Sequence, residues 1–189
     1  MPERLQPIGE ALPEAPGRRL FLAGSCAAAV SLLLGRDAEA ARAPRRLSFV
    51  NTHTDETLSV VYWADGRYET GALKDVDFIL RDFRAEAVKP IDPSLLDLLH
   101  ALRTRLRSSA PFHVISGYRT PETNRMLREQ SGKVASHSLH CEGRAIDVRL
   151  PGTPLPKLHR AALAMRGGGV GYYATSQFVH VDTGRVRAW

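Results

Sequence analysis

A chain of 189 residues, 43% hydrophobic and 24% charged, has the length of one ordinary domain and the composition of a soluble globular protein. Its formal net charge of +6 is spread along the chain and not gathered in one block. With no RNP-like aromatics, no C-x-x-C pairs and no isolated basic helix beside it, that charge argues against a nucleic-acid partner.

The N-terminus reads as an export signal. Arg18 and Arg19 precede Leu20-Phe21-Leu22, an apolar run fills residues 20–34, and the small-residue string Ala38-Glu39-Ala40-Ala41-Arg42-Ala43 follows. A positive n-region, a short apolar region and an Ala-x-Ala site are the parts of such a signal, and the paired arginines resemble the twin-arginine type. The run is 15 residues long, short of the roughly 20 needed to span a bilayer. A signal over residues 1–43 removed on export to the periplasm is therefore expected, with no stable membrane span afterwards; an uncleaved anchor is the alternative. Cys26 lies inside the apolar run, which argues against a lipoprotein, and cleavage leaves Cys141 as the only cysteine. A domain over residues 44–189 must then stand on its core, or on a metal, without a disulfide. Residues 1–43 hold five Lys/Arg and five Asp/Glu, so the remaining chain keeps +6, 21 minus 15. That charge suits an anionic polymer of the envelope.

Residues 44–64 alternate apolar and polar around the turn Thr52-His53-Thr54-Asp55-Glu56 and predict a hairpin. Leu73, Val76, Ile79, Leu80 and Phe83 recur at helical spacing and predict a helix over 71–84. Asp92 as N-cap, Pro93 at the first position and Leu95, Leu96, Leu98, Leu99 and Leu102 predict the clearest helix, ending near Ser108. A short strand at 112–116, a turn at 117–121, a small helix to about Gln130 and an aperiodic loop over 131–143 come next. A strand at 144–150, a helix at 154–165, a flexible glycine joint at 167–169 and two short strands at 170–173 and 177–182 complete the chain. This is an α+β domain with helices on one side of a small, mostly antiparallel sheet.

Three side chains carry the chemistry. In residues 144–150 the even positions Ile146, Val148 and Leu150 are apolar, so a strand that packs them on the core turns Asp147 the other way. The same test on residues 178–182 buries Val179 and Val181 and sends Phe178, His180 and Asp182 to the opposite face. His140 comes from the loop just ahead, and Gly143 lets that loop fold back. Two neutral imidazoles and one carboxylate suit zinc, and three protein ligands leave a fourth tetrahedral position for water. Spacing alone leaves open the blander reading of surface or satisfied core residues.

The string Ser138-Leu139-His140-Cys141-Glu142-Gly143-Arg144-Ala145-Ile146-Asp147 resembles the S-x-H-x-x-G-x-A-x-D motif of LAS-type zinc peptidases, peptidase family M15, and matches every fixed position. Ser116-Gly117-Tyr118-Arg119-Thr120 is similar to the S-G-Y/F-R-S/T segment of that family. Residues 178–184, with Val186, Arg187 and Trp189, resemble the C-terminal end of the murein endopeptidase K group and its DUF882 relatives. The resemblance implies an LAS/hedgehog-like metallopeptidase domain with His140, Asp147 and His180 on Zn2+. It implies Arg119 as the group that steadies a developing oxyanion; the alternative for Arg119 is a salt bridge securing the turn. Its substrate would be peptidoglycan, cut at peptide cross-links such as the D-alanyl–diaminopimelate bond. A D,D- or L,D-carboxypeptidase, or a metal-containing wall-binding module without activity, are the alternatives.

The chain departs from the family pattern just before the last ligand. Many members carry Glu-x-x-His or His-x-His there, whereas Ser176, Gln177, Phe178 and Val179 do not titrate. His137 is expected as acid/base and Asp182 as the group that orients His180. Cys141 is expected as an inert, partly buried thiol. His53, His100, His113 and His159 are expected to be structural. Tyr172 and Tyr173 are placed either in the cleft or in the core, and Trp189 over the domain edge.

Overall fold

Strands β1 (Arg45–Asn51) and β2 (Thr57–Ala64) form the expected antiparallel hairpin about the polar turn. The computed structural model to which they belong describes residues 43–189 apart from Lys133, and the export signal expected over residues 1–43 lies outside them but for Ala43. A two-residue strand, β3 (Arg67–Tyr68), leads into helix α1 (Thr70–Ile79), and α2 (Pro93–Arg105) and β4 (Phe112–Ser116) follow. Then come α3 (Pro121–Ser131), a 3-10 turn (Leu139–Glu142), β5 (Ala145–Arg149) and α4 (Leu155–Met165). Strands β6 (Gly169–Tyr173), β7 (Phe178–Asp182) and β8 (Arg187–Ala188) end the chain. The strands make one sheet in the order β3-β2-β1-β4-β5-β7-β6-β8, antiparallel except where β1 meets β4 and β6 meets β8.

One apolar cluster lies between this sheet and three of its helices. Leu47, Phe49, Phe112, Val114, Ile146, Val148, Val179 and Val181 come from alternate strand positions. Against them pack Val76 and Ile79 of α1, Leu95, Leu96, Leu99 and Leu102 of α2, and Leu158 and Ala162 of α4. Helix α2 starts as expected, with Asp92 accepting the Ser94 N–H at 2.9 Å and Pro93 filling the first position. It stops at Arg105, earlier than expected, because Arg107 takes a left-handed φ of 52°. Helix α3 buries only Thr123 and Asn124 and flanks the cleft without filling the core.

Two expectations are corrected. Helix α1 ends at Ile79 and does not run on to residue 84. Beyond it the Leu80 carbonyl accepts the Tyr118 N–H at 2.8 Å, and buried Arg81 pairs with Glu56 and Glu86. Phe83 leaves the helical path to stack on His53 at 4.3 Å. The glycines at 167–169 are no flexible joint either. Gly169 opens β6, its N–H donates to Asp182 at 2.9 Å, and a Cβ there would run into Arg187 and Asp182. Close approach, and not freedom, requires the missing side chain.

Candidate metal centre

Register puts the expected residues together. Asp147 on β5 lies directly opposite His180 on β7, so their side chains leave the same face of the sheet. Ser116 also pairs with Asp147, across a bulge in β4 that leaves Ile115 as the extra residue. His140 arrives on the 3-10 turn, which the loop expected over 131–143 contains. Gly143 ends that turn at φ 70°, and a Cβ there would meet the Pro90 carbonyl, so only glycine lets the chain enter β5. The three residues are 2%, 5% and 7% exposed for His140, Asp147 and His180, so the cleft walls cover Asp147 although it faces away from the core.

Their hydrogen bonds assign the tautomer of His140, while His180 faces a carboxylate at each ring nitrogen. His140 Nδ1–H donates to the Gly117 carbonyl at 2.7 Å, and His180 Nε2 lies 3.0 Å from Asp182 Oδ2. His140 Nε2 therefore turns its lone pair inward, and His180 Nδ1 turns inward 3.2 Å from it, with Asp147 Oδ1 at 3.3 and 2.9 Å from them; with its proton on Nε2, toward Asp182, His180 presents a second lone pair there. The edge of a tetrahedron drawn for zinc–nitrogen and zinc–oxygen bonds is about 3.3 Å. Three ligand atoms converging at that spacing, with each imidazole offered a hydrogen-bond acceptor at its other nitrogen, are a candidate donor set for a cation. It is the group of His, Cys, Asp and Glu side chains able to hold a metal among the described residues.

Electrostatics agree for Asp147 and His140. Burial works to raise the Asp147 carboxyl, but His140 and His180 outweigh it and hold it well below the usual carboxylate range. Burial pushes the His140 imidazole down, toward the neutral form a ligand needs. Burial also works to lower His180, yet its bonds to Asp147 and Asp182 prevail and raise it.

Around the three lies a supporting layer. Asp182 is fully buried, and besides His180 it accepts from Arg187 at 2.7 and 3.1 Å and from the N–H groups of Gly169 and Gly184. Burial opposes its ionisation, and these donors overcome the opposition and hold it far below its ordinary value. Arg119 is 8% exposed and donates from Nη2 to Asp147 Oδ2 at 3.0 Å and from Nε to Ser116 at 2.9 Å. Its expected alternative, a salt bridge, is present, but to Asp147 of the candidate metal group. A cleft of about 480 Å³ opens above the site, with Arg119, His137, His140, Asp147 and His180 in its lining. His137 is exposed there and bonds Ser136 at 3.3 Å, without a hydrogen bond to the three inner residues.

Some residues stand elsewhere than expected. Trp189 is not merely an edge cover: its ring lies 5.1 Å from His180, and its indole N–H donates to the Tyr173 hydroxyl at 2.9 Å. Tyr173, stacked on Phe178 at 4.5 Å, lines the cleft, whereas Tyr172 packs against the core. His53 lines the cleft as well as bracing Phe83. Arg187 as the partner of Asp182 was missed altogether, because a two-residue strand carries no periodicity; its one signal is the C-terminal likeness. Cys141 is half-buried, and burial pushes its thiol up, as befits an inert residue. Among the described residues no helix is long and apolar enough to cross a membrane.

Comparison with known proteins agrees with this geometry. The family model Peptidase_M15_2, described as "Peptidoglycan L,D-endopeptidase MepK", matches residues 39–189. The chain is 44% identical over 147 residues to the "Probable peptidoglycan L,D-endopeptidase MepK" of Haemophilus influenzae, covering 77% of this chain and 79% of that protein. It is equally similar to the "Peptidoglycan L,D-endopeptidase MepK" of Escherichia coli K12, covering 77% and 80%. No solved structure gives a significant match.

Proposed function

Because the chain belongs to the Peptidase_M15_2 family of zinc peptidases, we propose that it is a zinc-dependent endopeptidase that cuts peptide cross-links of peptidoglycan at L,D bonds, the type for which its relatives are named. The D-alanyl–diaminopimelate cross-link was the bond expected from the sequence, and the relatives' names favour the L,D type within the same polymer. The observation that carries the proposal is the convergence of His140 Nε2, Asp147 Oδ1 and His180 Nδ1 at the floor of an open cleft.

His140, Asp147 and His180 would hold the ion, which when bound supplies Lewis acidity toward the scissile carbonyl and toward water. Arg119 contributes a guanidinium fixed by Asp147 and Ser116, set to stabilise negative charge as it grows on the carbonyl oxygen. Asp182 keeps the proton of His180 on Nε2, and Arg187 keeps Asp182 in place. His137, at the cleft wall, is the acid/base: it takes the proton from the attacking water and returns it to the leaving amine. Export by the twin-arginine-type signal over residues 1–43 would bring the domain to its substrate in the periplasm.

The test is digestion of purified, cross-linked peptidoglycan with zinc added, beside a His140→Ala variant, with products read by mass. Loss of dimers and gain of monomers, absent in the variant, is the expected result. Stoichiometric zinc on the wild type with no change in the wall would overturn the enzyme reading and leave a binding module.

A further inference from the structure

Three guanidiniums line the cleft, and two are committed: Arg119 to Asp147 at 3.0 Å and Arg187 to Asp182 at 2.7 Å. Among the described residues the third, Arg84, has no carboxylate within ion-pairing distance. Its position is nevertheless built. The Arg84 N–H donates to Asp82 Oδ1 at 3.1 Å, and Asp82 Oδ2 accepts the Thr120 N–H and hydroxyl at 2.8 and 3.1 Å. One carboxylate, 1% exposed, thus ties the loop of Arg84 to the turn that carries Arg119. Backbone bonds between Asp82 and Ala87, at 2.9 and 3.2 Å, close that loop.

The side chain is held too. The Arg84 guanidinium lies 4.3 Å over the Phe83 ring, Phe83 stacks on His53 at 4.3 Å, and His53 Nε2–H donates to the Ile115 carbonyl at 3.0 Å. Ile115 is the bulged residue beside Ser116, which holds Arg119. A guanidinium stacked on a ring keeps its in-plane donors free for a planar acceptor. The other two arginines already balance the buried carboxylates, so Arg84 adds an unmatched positive charge at the exposed side of the cleft.

We infer that Arg84 binds a free carboxylate of the stem peptide and selects substrates in which that carboxylate is not amidated. The inference rests on the peptidase reading above and adds the chemical group that the cleft recognises. Cross-links through diaminopimelate offer such a group, since the carbon bearing the scissile amide nitrogen also bears a carboxylate. A carboxamide there keeps the shape and loses both the charge and the second acceptor that a guanidinium fork requires.

The experiment is steady-state hydrolysis of a purified cross-linked muropeptide dimer by the zinc-loaded full chain. The dimer is supplied once with free carboxylates and once with these converted to carboxamides, and wild type is compared with Arg84→Gln and Arg84→Lys. On the free-carboxylate dimer, Arg84→Gln should raise KM about three- to tenfold with kcat within about twofold, as for one solvent-accessible charged hydrogen bond. Arg84→Lys should recover part of the loss. Wild type should show a similar KM penalty on the carboxamide dimer, and Arg84→Gln should add nothing to it there. Equal KM values for both dimers in wild type, or an Arg84→Gln defect of equal size on both, would overturn the inference while leaving the peptidase reading intact. Cleavage of neither dimer by zinc-loaded wild type would instead bring down the peptidase reading and this inference with it. Thermal melting of each variant at the wild-type temperature shows that the changes are confined to the cleft.

Discussion

Replacing Asp182 by Asn tests whether the layer behind the ligands governs the metal site. The exchange keeps the shape but cannot satisfy every neighbour. Gly169 and Gly184 present N–H donors to Oδ1, at 2.9 and 2.8 Å, so the amide oxygen of Asn belongs on that side. Its NH2 group then takes the place of Oδ2, which faces His180 Nε2 at 3.0 Å and the Arg187 Nη2 at 2.7 Å. Donor would meet donor twice. Arg187, with a side chain 31% exposed, can turn to water, but His180 can relieve the clash only by moving its proton from Nε2 to Nδ1. That step removes the inward lone pair that lies 2.9 Å from Asp147 and 3.2 Å from His140. Loss of such an outer partner typically costs about 10- to 100-fold in metal affinity, or about 1.4–2.7 kcal/mol. Competition of the purified variant with a chromophoric chelator measures the zinc dissociation constant directly. A folded Asp182→Asn protein that binds zinc within twofold of wild type would refute the reasoning, since the tautomer would then not depend on Asp182.

Other outcomes follow from the same geometry. Arg119→Ala should lower kcat about 100- to 1,000-fold in peptidoglycan digestion while zinc affinity by chelator competition falls less than tenfold, as the proposed role of its guanidinium against developing negative charge requires. Gly143→Ala should destabilise the domain by about 3 kcal/mol in urea unfolding, since φ 70° is strained for alanine and its Cβ would meet the Pro90 carbonyl. For Asp82, burial works to raise the carboxyl, and bonds from Thr123, Thr120 and Arg84 outweigh it and hold it below its usual range. A depressed folded pKa contributes stability above the unfolded value of about 3.9 and loses it as pH falls through the folded one. The urea midpoints of wild type and Asp82→Asn should therefore differ at pH 7, and the difference should begin to shrink only as pH falls below about 4 toward the folded pKa. Chelation should abolish hydrolysis and lower the melting temperature, with zinc restoring both, and far-UV circular dichroism should stay native because the apolar cluster does not include the ligands.

The convergence of Asp147 and His180 at the candidate metal site was legible because strand alternation is a strict period. Once Ile146, Val148, Val179 and Val181 are placed on the core, Asp147 and His180 have nowhere to point but the other face. His140 was legible only through its string, since a 3-10 turn has no apolar stripe. What stayed hidden depends on contacts between distant segments. Leu80 and Phe83 continue the helical spacing of α1, yet the bond from Tyr118 to the Leu80 carbonyl and the stack on His53 end the helix first. The glycines at 167–169 look like a hinge until Asp182 and Arg187 are seen to occupy the space beside them. Arg187 and Trp189 reach the site through a two-residue strand that only its parallel pairing with β6 defines.

Charge balance explains why those hidden residues are there. Asp147 and Asp182 bring two negative charges under the cleft, and each is matched by a guanidinium, Arg119 and Arg187. With neutral imidazoles this buried cluster is electrically even before any ion arrives, which limits the cost of folding it away from water. A divalent cation on His140, Asp147 and His180 would then leave a net charge of +2 at the cleft floor. Positive charge held in a covered site is worth most against negative charge that appears only during reaction. Without Arg187 the loaded site would carry one charge fewer, and Asp182 would compete with Asp147 for the proton of His180. The C-terminal strand is thus part of the candidate metal site's electrostatics, although it supplies none of the three converging side chains.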